Sequence, residues 1–367
     1  MKKHKLAVYV CCLALAALLS GCGRGPASDG ALADHIWVYG ESALIAAGTD
    51  GVLTLEGEGE SERITAVSGS GSCVDRGLLL WQLPPGSYRF YWDDMPLLAA
   101  DNHLPQGYTL PRPEGRKHWA FGKDKEGRLT LTVTEVSDLP EGWYDVTVDA
   151  GHGGKDTGAM GGGYTEAELD LESARELAEL LRGWGLAVTL TRCDDEVPGG
   201  EAAEDDPYAD GARVDLIYAS HAPYLLSCHL NASAEGKASG FQIYCSVASS
   251  PDWAEAVADA LREAGAVENN GGKGLLAHGV YQRGSQYSME PRDYYFILRE
   301  TGGNALSPDK YLAHHREARQ TLSTGAQGLL LEFAFMDNEA DLRLWLDRRE
   351  LWLSATARAC AEYWQLI

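Results

Sequence analysis

Val146-Thr147-Val148-Asp149-Ala150-Gly151-His152-Gly153-Gly154-Lys155-Asp156-Thr157-Gly158-Ala159, with Tyr164-Thr165-Glu166 close behind, decides how the second half of the chain folds. The β-branched run Val146 to Val148 reads as a short strand ending in a loop that carries His152. Glu166 then opens a helix, because Leu169, Leu171, Ala174, Leu177, Ala178 and Leu181 recur at three- and four-residue steps. One imidazole thus stands at a strand end and one carboxylate at the start of the next helix. The glycines allow tight turns and leave open space beside the imidazole, a common way to build a zinc site with a free coordination position. A glycine-rich turn with a solvated histidine is the plainer alternative. A phosphate loop does not fit, since no Gly-Lys-Ser/Thr follows and the GxGxxG pattern is absent.

Outward from this stretch, strands and helices alternate. Gly183 and Gly185 stop the first helix, and 187–191 is a second strand. Helix 208–219, strands 224–229 and 241–245, helix 252–264, strand 328–331 and a terminal helix 349–364 follow. This order predicts an α/β fold, a mostly parallel sheet flanked by helices, with the site at the carboxyl ends of the strands. His152, His229 and Glu332 fall there. His229 lies in Ser227-Cys228-His229-Leu230-Asn231, and Glu332 directly follows Leu329-Leu330-Leu331, where a carboxylate is costly to bury unless it meets a metal or has a raised pKa. Together His152, Glu166, His229 and Glu332 supply two imidazoles, one ligating carboxylate and one further carboxylate able to carry a proton, and three protein ligands plus water is the catalytic zinc arrangement.

Before this half, 35–140 holds short strands at 36–39, 51–55, 78–81, 88–92 and 129–133, bounded by turn residues, and reads as a small all-β domain. Its aromatics, Trp81, Tyr88, Phe90, Tyr91 and Trp92, read as core before they read as a sugar platform. Residues 1–22 carry Lys2, Lys3 and Lys5, then an apolar run too short to span a membrane. The ending Leu19-Ser20-Gly21-Cys22 resembles the lipobox of bacterial lipoproteins. That resemblance implies a signal peptide cut before Cys22, a lipid on Cys22, a tether over 23–34 and an extracytoplasmic, membrane-anchored protein. The chain has 31 basic and 54 acidic residues, a net charge of −23, which disfavours nucleic acid and anionic lipid surfaces as partners. Cys228 and Cys245 fall on two expected strands and could be neighbours, without spacing that marks a disulfide framework.

From Tyr144 nearly to the C-terminus the chain resembles the zinc-dependent N-acetylmuramoyl-L-alanine amidases of bacterial cell-wall turnover and sporulation. The matching segments are Val148 to Asp156 with Gly158-Ala159, Glu166 five residues before Leu171, Leu190-Thr191-Arg192 with Asp194, Arg213, Ser227 to Ala232, Gly240-Phe241, and Leu331 to Asn338 with Asp341-Leu342. The resemblance implies a catalytic domain over 144–367, one Zn2+ per chain held by His152, Glu166 and His229, and Glu332 as the catalytic carboxylate. The substrate it implies is the amide between N-acetylmuramic acid and L-alanine, so the partner is peptidoglycan; no protein partner is indicated. Cys228 departs from the usual Ile or Val, and Phe333-Ala334-Phe335 from the frequent Thr-Gly-Phe. The long segment 299–327 bears on substrate range. Glu168 competes with Glu166 as ligand but sits two residues into the helix. Asp149 is expected to orient an imidazole. Arg192 and Arg213 either fix loops or meet substrate carboxylates, and Asn231 is a further candidate for substrate contact. His221, His278, His314 and His315 are expected at the surface or behind the ligands. A zinc peptidase acting on stem peptides and a silent wall-binding module are the rival readings; the intact set of His152, Glu166, His229 and Glu332 argues against silence.

Overall fold

In the computed structural model, the described residues are short strands between 31 and 79 and then residues 83–367, apart from 93, 100–107, 113–114, 201, 204–206, 208, 248, 285–292 and 303–323. The signal segment, Cys22, the tether up to residue 30, Cys73, His314 and His315 lie outside the described residues. Among the described residues no helix is long and apolar enough to cross a membrane.

The second half is built on a seven-stranded sheet. Its strands are β1 (Val146–Ala150), β2 (Val188–Leu190), β3 (Tyr224–Asn231), β4 (Gln242–Cys245), β5 (Leu275–Ala277), β6 (Val280–Gln282) and β7 (Gln327–Phe335). They lie in the order β2-β1-β3-β7-β4-β6-β5. The pairs β1–β2, β1–β3, β3–β7 and β4–β6 are parallel, whereas β4–β7 and β5–β6 are antiparallel. The helices are α1 (Glu166–Gly183), α2 (Arg213–Ala219), α3 (Asp252–Glu263), α4 (Phe296–Thr301) and α5 (Glu339–Tyr363).

β1 and β7 are buried at every position, as strands covered on both faces are, and they bury the polar Thr147, Asp149, Gln327 and Glu332 along with their apolar residues. α1 buries Leu169, Leu171, Ala174, Leu177, Ala178 and Leu181. Its start is fixed by a capping box: Thr165 Oγ1 accepts from the Glu168 amide at 3.2 Å, and Glu168 Oε2 accepts from the Thr165 amide at 2.9 Å.

Three expectations shift. α5 begins at Glu339, ten residues before the expected start, because Asn338 caps it by accepting from the amides of Ala340 and Asp341. α2 begins at Arg213 rather than 208. β7 runs on to Phe335, so Glu332 lies within the strand, not at its end. Cys228 and Cys245 are not neighbours, since β7 stands between β3 and β4, and Cys193, Cys228, Cys245 and Cys360 are all free.

The first half is a region of strands. Gly51–Gly57, Gly86–Trp92, Gly115–Lys123 and Leu129–Val136 belong to one sheet with a core of Leu55, Phe90, Trp119, Leu129 and Leu131. Phe90 is thus core, as expected. Thr324–Gly325 pairs with Ile36–Tyr39, so strand pairing crosses residue 140. Arg116 also reaches over: its Nε and Nη2 donate to the two oxygens of buried Asp145 at 3.1 and 2.8 Å.

Candidate metal centre

Local backbone geometry sets out the site. β1 ends at Ala150, and His152 takes a left-handed φ of 55° with Gly153, Gly154 and Gly158 also left-handed. Gly151 is required for a different reason. A Cβ there would lie 2.3 Å from His229 Cε1 and 2.6 Å from Asp170 Oδ2. A Cβ on Gly158 would lie 2.6 Å from Glu166 Oε2 and 2.8 Å from His152 Cδ2.

Two imidazoles converge on one carboxylate oxygen. His152 Nε2 is 3.0 Å and His229 Nδ1 is 3.1 Å from Glu166 Oε1. The far oxygen of Glu166 accepts from the Ala159 amide at 2.8 Å, which aims the near one inward. Asp156 Oδ2 stands 2.8 Å from His152 Nδ1 and orients that ring from behind. Asp170, one turn beyond Glu166 on α1, is buried, with Oδ2 3.7 Å from His229 Nδ1. Donor atoms of His152, Glu166, Asp170 and His229 all lie within 4.8 Å of one another, a set able to hold a metal ion. Glu168 is spent on the capping box.

Glu332 sits in β7 beside this cluster, in register with His229 on β3 and with Gln242 on β4. Its Oε2 is buried without a hydrogen-bond partner. Burial, with the charge of Glu166 adding to it against the opposing charge of His152, raises this carboxyl to about 8. Burial works against a charge on His152, yet the hydrogen bonds and charges of Glu166 and Asp156 outweigh it and bring that ring up to about 9. Burial would likewise raise Glu166, but its bonds and charge pairing with the two histidines hold it at about 2. A proton and a divalent cation therefore compete for the same imidazole.

The remaining candidates support loops. Asp149 accepts from Thr191 and Ser227, each at 2.6 Å, and pairs with Arg213. No hydrogen bond joins it to an imidazole among those found at the described residues. Burial pushes its carboxyl up, but the Arg213 charge and these two hydroxyls hold it below the ordinary value. Arg192 donates to the carbonyls of Ala150, Gly151 and Ala167, tying the β1 end to α1. Arg213 donates to the carbonyls of Ala150 and His152. Asn231 donates to Gln242 Oε1 at 2.7 Å. His221 stacks on Trp143 at 4.2 Å, and exposed His278 faces Glu268. A cleft of about 620 Å³, lined by His152, Asp156, His229 and Tyr295 among others, opens onto the imidazoles.

Asp156 and Asp170 were the residues sequence reasoning missed. Asp170 left a trace, an acid at the i+4 position from Glu166 on the helix's buried face.

Residues 146–362 match the family model described as N-acetylmuramoyl-L-alanine amidase. The germination-specific N-acetylmuramoyl-L-alanine amidase of Bacillus subtilis is 35% identical over 149 residues, covering 39% of this chain and 62% of that one. The N-acetylmuramoyl-L-alanine amidase LytC of the same organism is 29% identical over 99 residues, covering 27% of this chain and 18% of that one. Among solved structures, the catalytic domain of the amidase CwlV from Bacillus (Paenibacillus) polymyxa aligns with 22% identity and a TM-score of 0.42, covering 60% of this chain and 98% of that one. The family model takes in more than half of the chain, all seven strands of the sheet and every donor around Glu166, and the chain belongs to the N-acetylmuramoyl-L-alanine amidase family.

Proposed function

We propose that the chain hydrolyses the amide joining the lactyl group of N-acetylmuramic acid to L-alanine in peptidoglycan. In this reading His152, Glu166 and His229 hold one zinc ion, and Glu332 carries the proton. The observation behind it is the convergence of both imidazoles on Glu166 Oε1, inside the family-matching segment, with the partnerless Glu332 one strand away. The donors suit zinc: imidazole and carboxylate, packed so closely that no Cβ fits at Gly151 or Gly158.

Zinc, when bound, supplies a Lewis acid for the scissile carbonyl and makes a water more acidic. The chain's own groups do the rest. Asp156 fixes the tautomer of His152 by standing at Nδ1, leaving Nε2 to face inward. Glu332 takes the proton that the attacking water loses and returns it to the alanine nitrogen as the C–N bond breaks. Burial and the nearby charge of Glu166 raise the pKa of this carboxyl, which favours its holding the proton between the two transfers. Arg192 and Arg213 hold the His152 loop by its carbonyls, which keeps the imidazole still during turnover.

The lipobox-like Leu19-Ser20-Gly21-Cys22 supports a lipid on Cys22 and an extracytoplasmic site of action. We further assign 35–140 to a small all-β domain and 144–367 to the catalytic domain. Digestion of purified sacculi followed by mass spectrometry tests the activity. Free stem peptide together with peptide-less glycan is expected. Shortened peptides would instead mark a peptidase, and no product a binding module.

A further inference from the structure

Asp170 is the buried acid that the mechanism above leaves unused. It is only 1% exposed, and its Oδ2 has no hydrogen-bond partner. A carboxylate so placed is costly unless something satisfies it. Arg192, a cation of the adjoining loop, donates its hydrogen bonds to backbone carbonyls of residues 150, 151, 167 and 194. The acid also points inward. A Cβ on Gly151 would stand 2.6 Å from Oδ2 and 2.5 Å from His229 Nδ1, so both atoms press on the same small space beneath the loop.

We propose that Asp170 is a fourth protein donor to the metal, beside His152, Glu166 and His229; this rests on the zinc site argued above. Neighbouring donors on one zinc ion, each at about 2.0–2.2 Å with a near-tetrahedral angle between them, stand roughly 3.3–3.6 Å apart, and a fifth position would remain for the water of the proposed reaction. The 3.7 Å between Asp170 Oδ2 and His229 Nδ1 is close to that spacing. Charge agrees as well. Two neutral imidazoles and the two carboxylates of Glu166 and Asp170 balance a divalent cation, whereas one carboxylate leaves a net positive charge in a site closed to water on its helix side. Glu166 and Asp170 reach one ion because they are a single helical turn apart on the face of α1 that packs under β1 and β3.

The test is zinc affinity of the full chain, measured by competition with a chromophoric chelator, for wild type and Asp170→Asn. The amide copies the shape of a neutral acid but not the donor charge. The expected result is a loss of at least about tenfold in affinity. The melting temperature supplies a second reading of opposite sign. Without zinc, Asp170→Asn should melt at or above wild type, since an orphaned carboxylate has gone. With zinc it should gain less than wild type gains. Equal affinity and equal zinc-induced stabilisation in the two proteins would overturn the proposal and leave the three-donor site intact. A wild-type chain that takes up no zinc would overturn both. If Asp170→Asn does not fold, Asp170→Ser is read by the same titration.

Discussion

Replacing Gly151 by alanine adds one methyl group where the site has no room for it. The backbone tolerates the change, because Gly151 is not left-handed and the cost is all contact. The new Cβ would meet His229 Cε1 at 2.3 Å and Nδ1 at 2.5 Å, against an ordinary contact of 3.4 Å or more. The His229 ring must therefore retreat by about 1 Å, and a misplacement of that size costs roughly a hundredfold in rate. Metal–donor distances hold only within about 0.2 Å of their ideal values, so the retreat removes a ligand outright. Overpacking of this kind costs roughly 1–3 kcal/mol of stability. Gly183→Ala is the control: nothing lies within 4 Å of its Cβ and its φ is not left-handed, so it should be neutral or stabilise by up to about 1 kcal/mol. The assay is zinc content by elemental analysis, beside release of stem peptide from sacculi and the urea midpoint of each variant. A Gly151→Ala protein that holds one zinc per chain and keeps wild-type turnover would refute the reasoning.

Glu332→Ala should keep its zinc while turnover falls by roughly a hundred- to ten-thousand-fold, whereas His229→Ala should lose both; loss of zinc from Glu332→Ala would make the carboxylate a ligand. Arg116→Ala leaves buried Asp145 with the Ala187 amide as its side-chain partner among the described residues and should lower the urea-unfolding free energy by about 3 kcal/mol; an unchanged midpoint would mean that the strands before residue 140 do not brace β1. Burial raises the Asp293 carboxyl to about 6, against the bonds from Ser246 and Val247. Its protonated form is thus favoured by the fold, a contribution complete below the unfolded value near 3.8 and lost as pH rises through about 6. Asp293→Asn should therefore flatten the stability profile between pH 4 and 7, and an unaltered wild-type slope would count against it. Cys22→Ala should abolish metabolic labelling by fatty acid, and equal labelling in both proteins would end the case for lipidation.

Much of the site was legible because its parts are local. A strand followed by Gly-His-Gly-Gly places His152 without knowledge of the rest of the fold, and the three- and four-residue steps from Leu169 to Leu181 locate the helix that puts Glu166 in reach. Glu168, disfavoured in the sequence because it sits two residues into the helix, has its oxygen bonded to Thr165 in the structure. Asp170 was hidden for a reason that applies to any amphipathic reading. Counting apolar positions assigns an acid to the wet face by default, yet here the face turns inward between Leu169 and Leu171. The start of α5 was placed ten residues late because the cap at Asn338 was not read from the sequence. Trp345 and Trp352, two turns apart and both buried, carry the helix through Asp347-Arg348-Arg349-Glu350. The alternative roles of Arg192 and Arg213 could not be separated in sequence, since a guanidinium suits a carbonyl and a carboxylate equally.

Glu332 stands in a strand paired on both sides, to β3 in one direction and to β4 in the other. Its Cα is therefore fixed by two ladders at once, in the middle of a wholly buried segment. Such a backbone offers no hinge. On the proposed mechanism, whatever travel the proton requires is made by rotation about the few side-chain bonds of Glu332 itself. On the proposed activity, room for a bulky glycan must then come from the cleft wall away from the braced His152 loop, such as the segment around Tyr295. Proton transfer and the admission of substrate, on the proposed mechanism, thus belong to different parts of the molecule, a still floor and the far wall of the cleft.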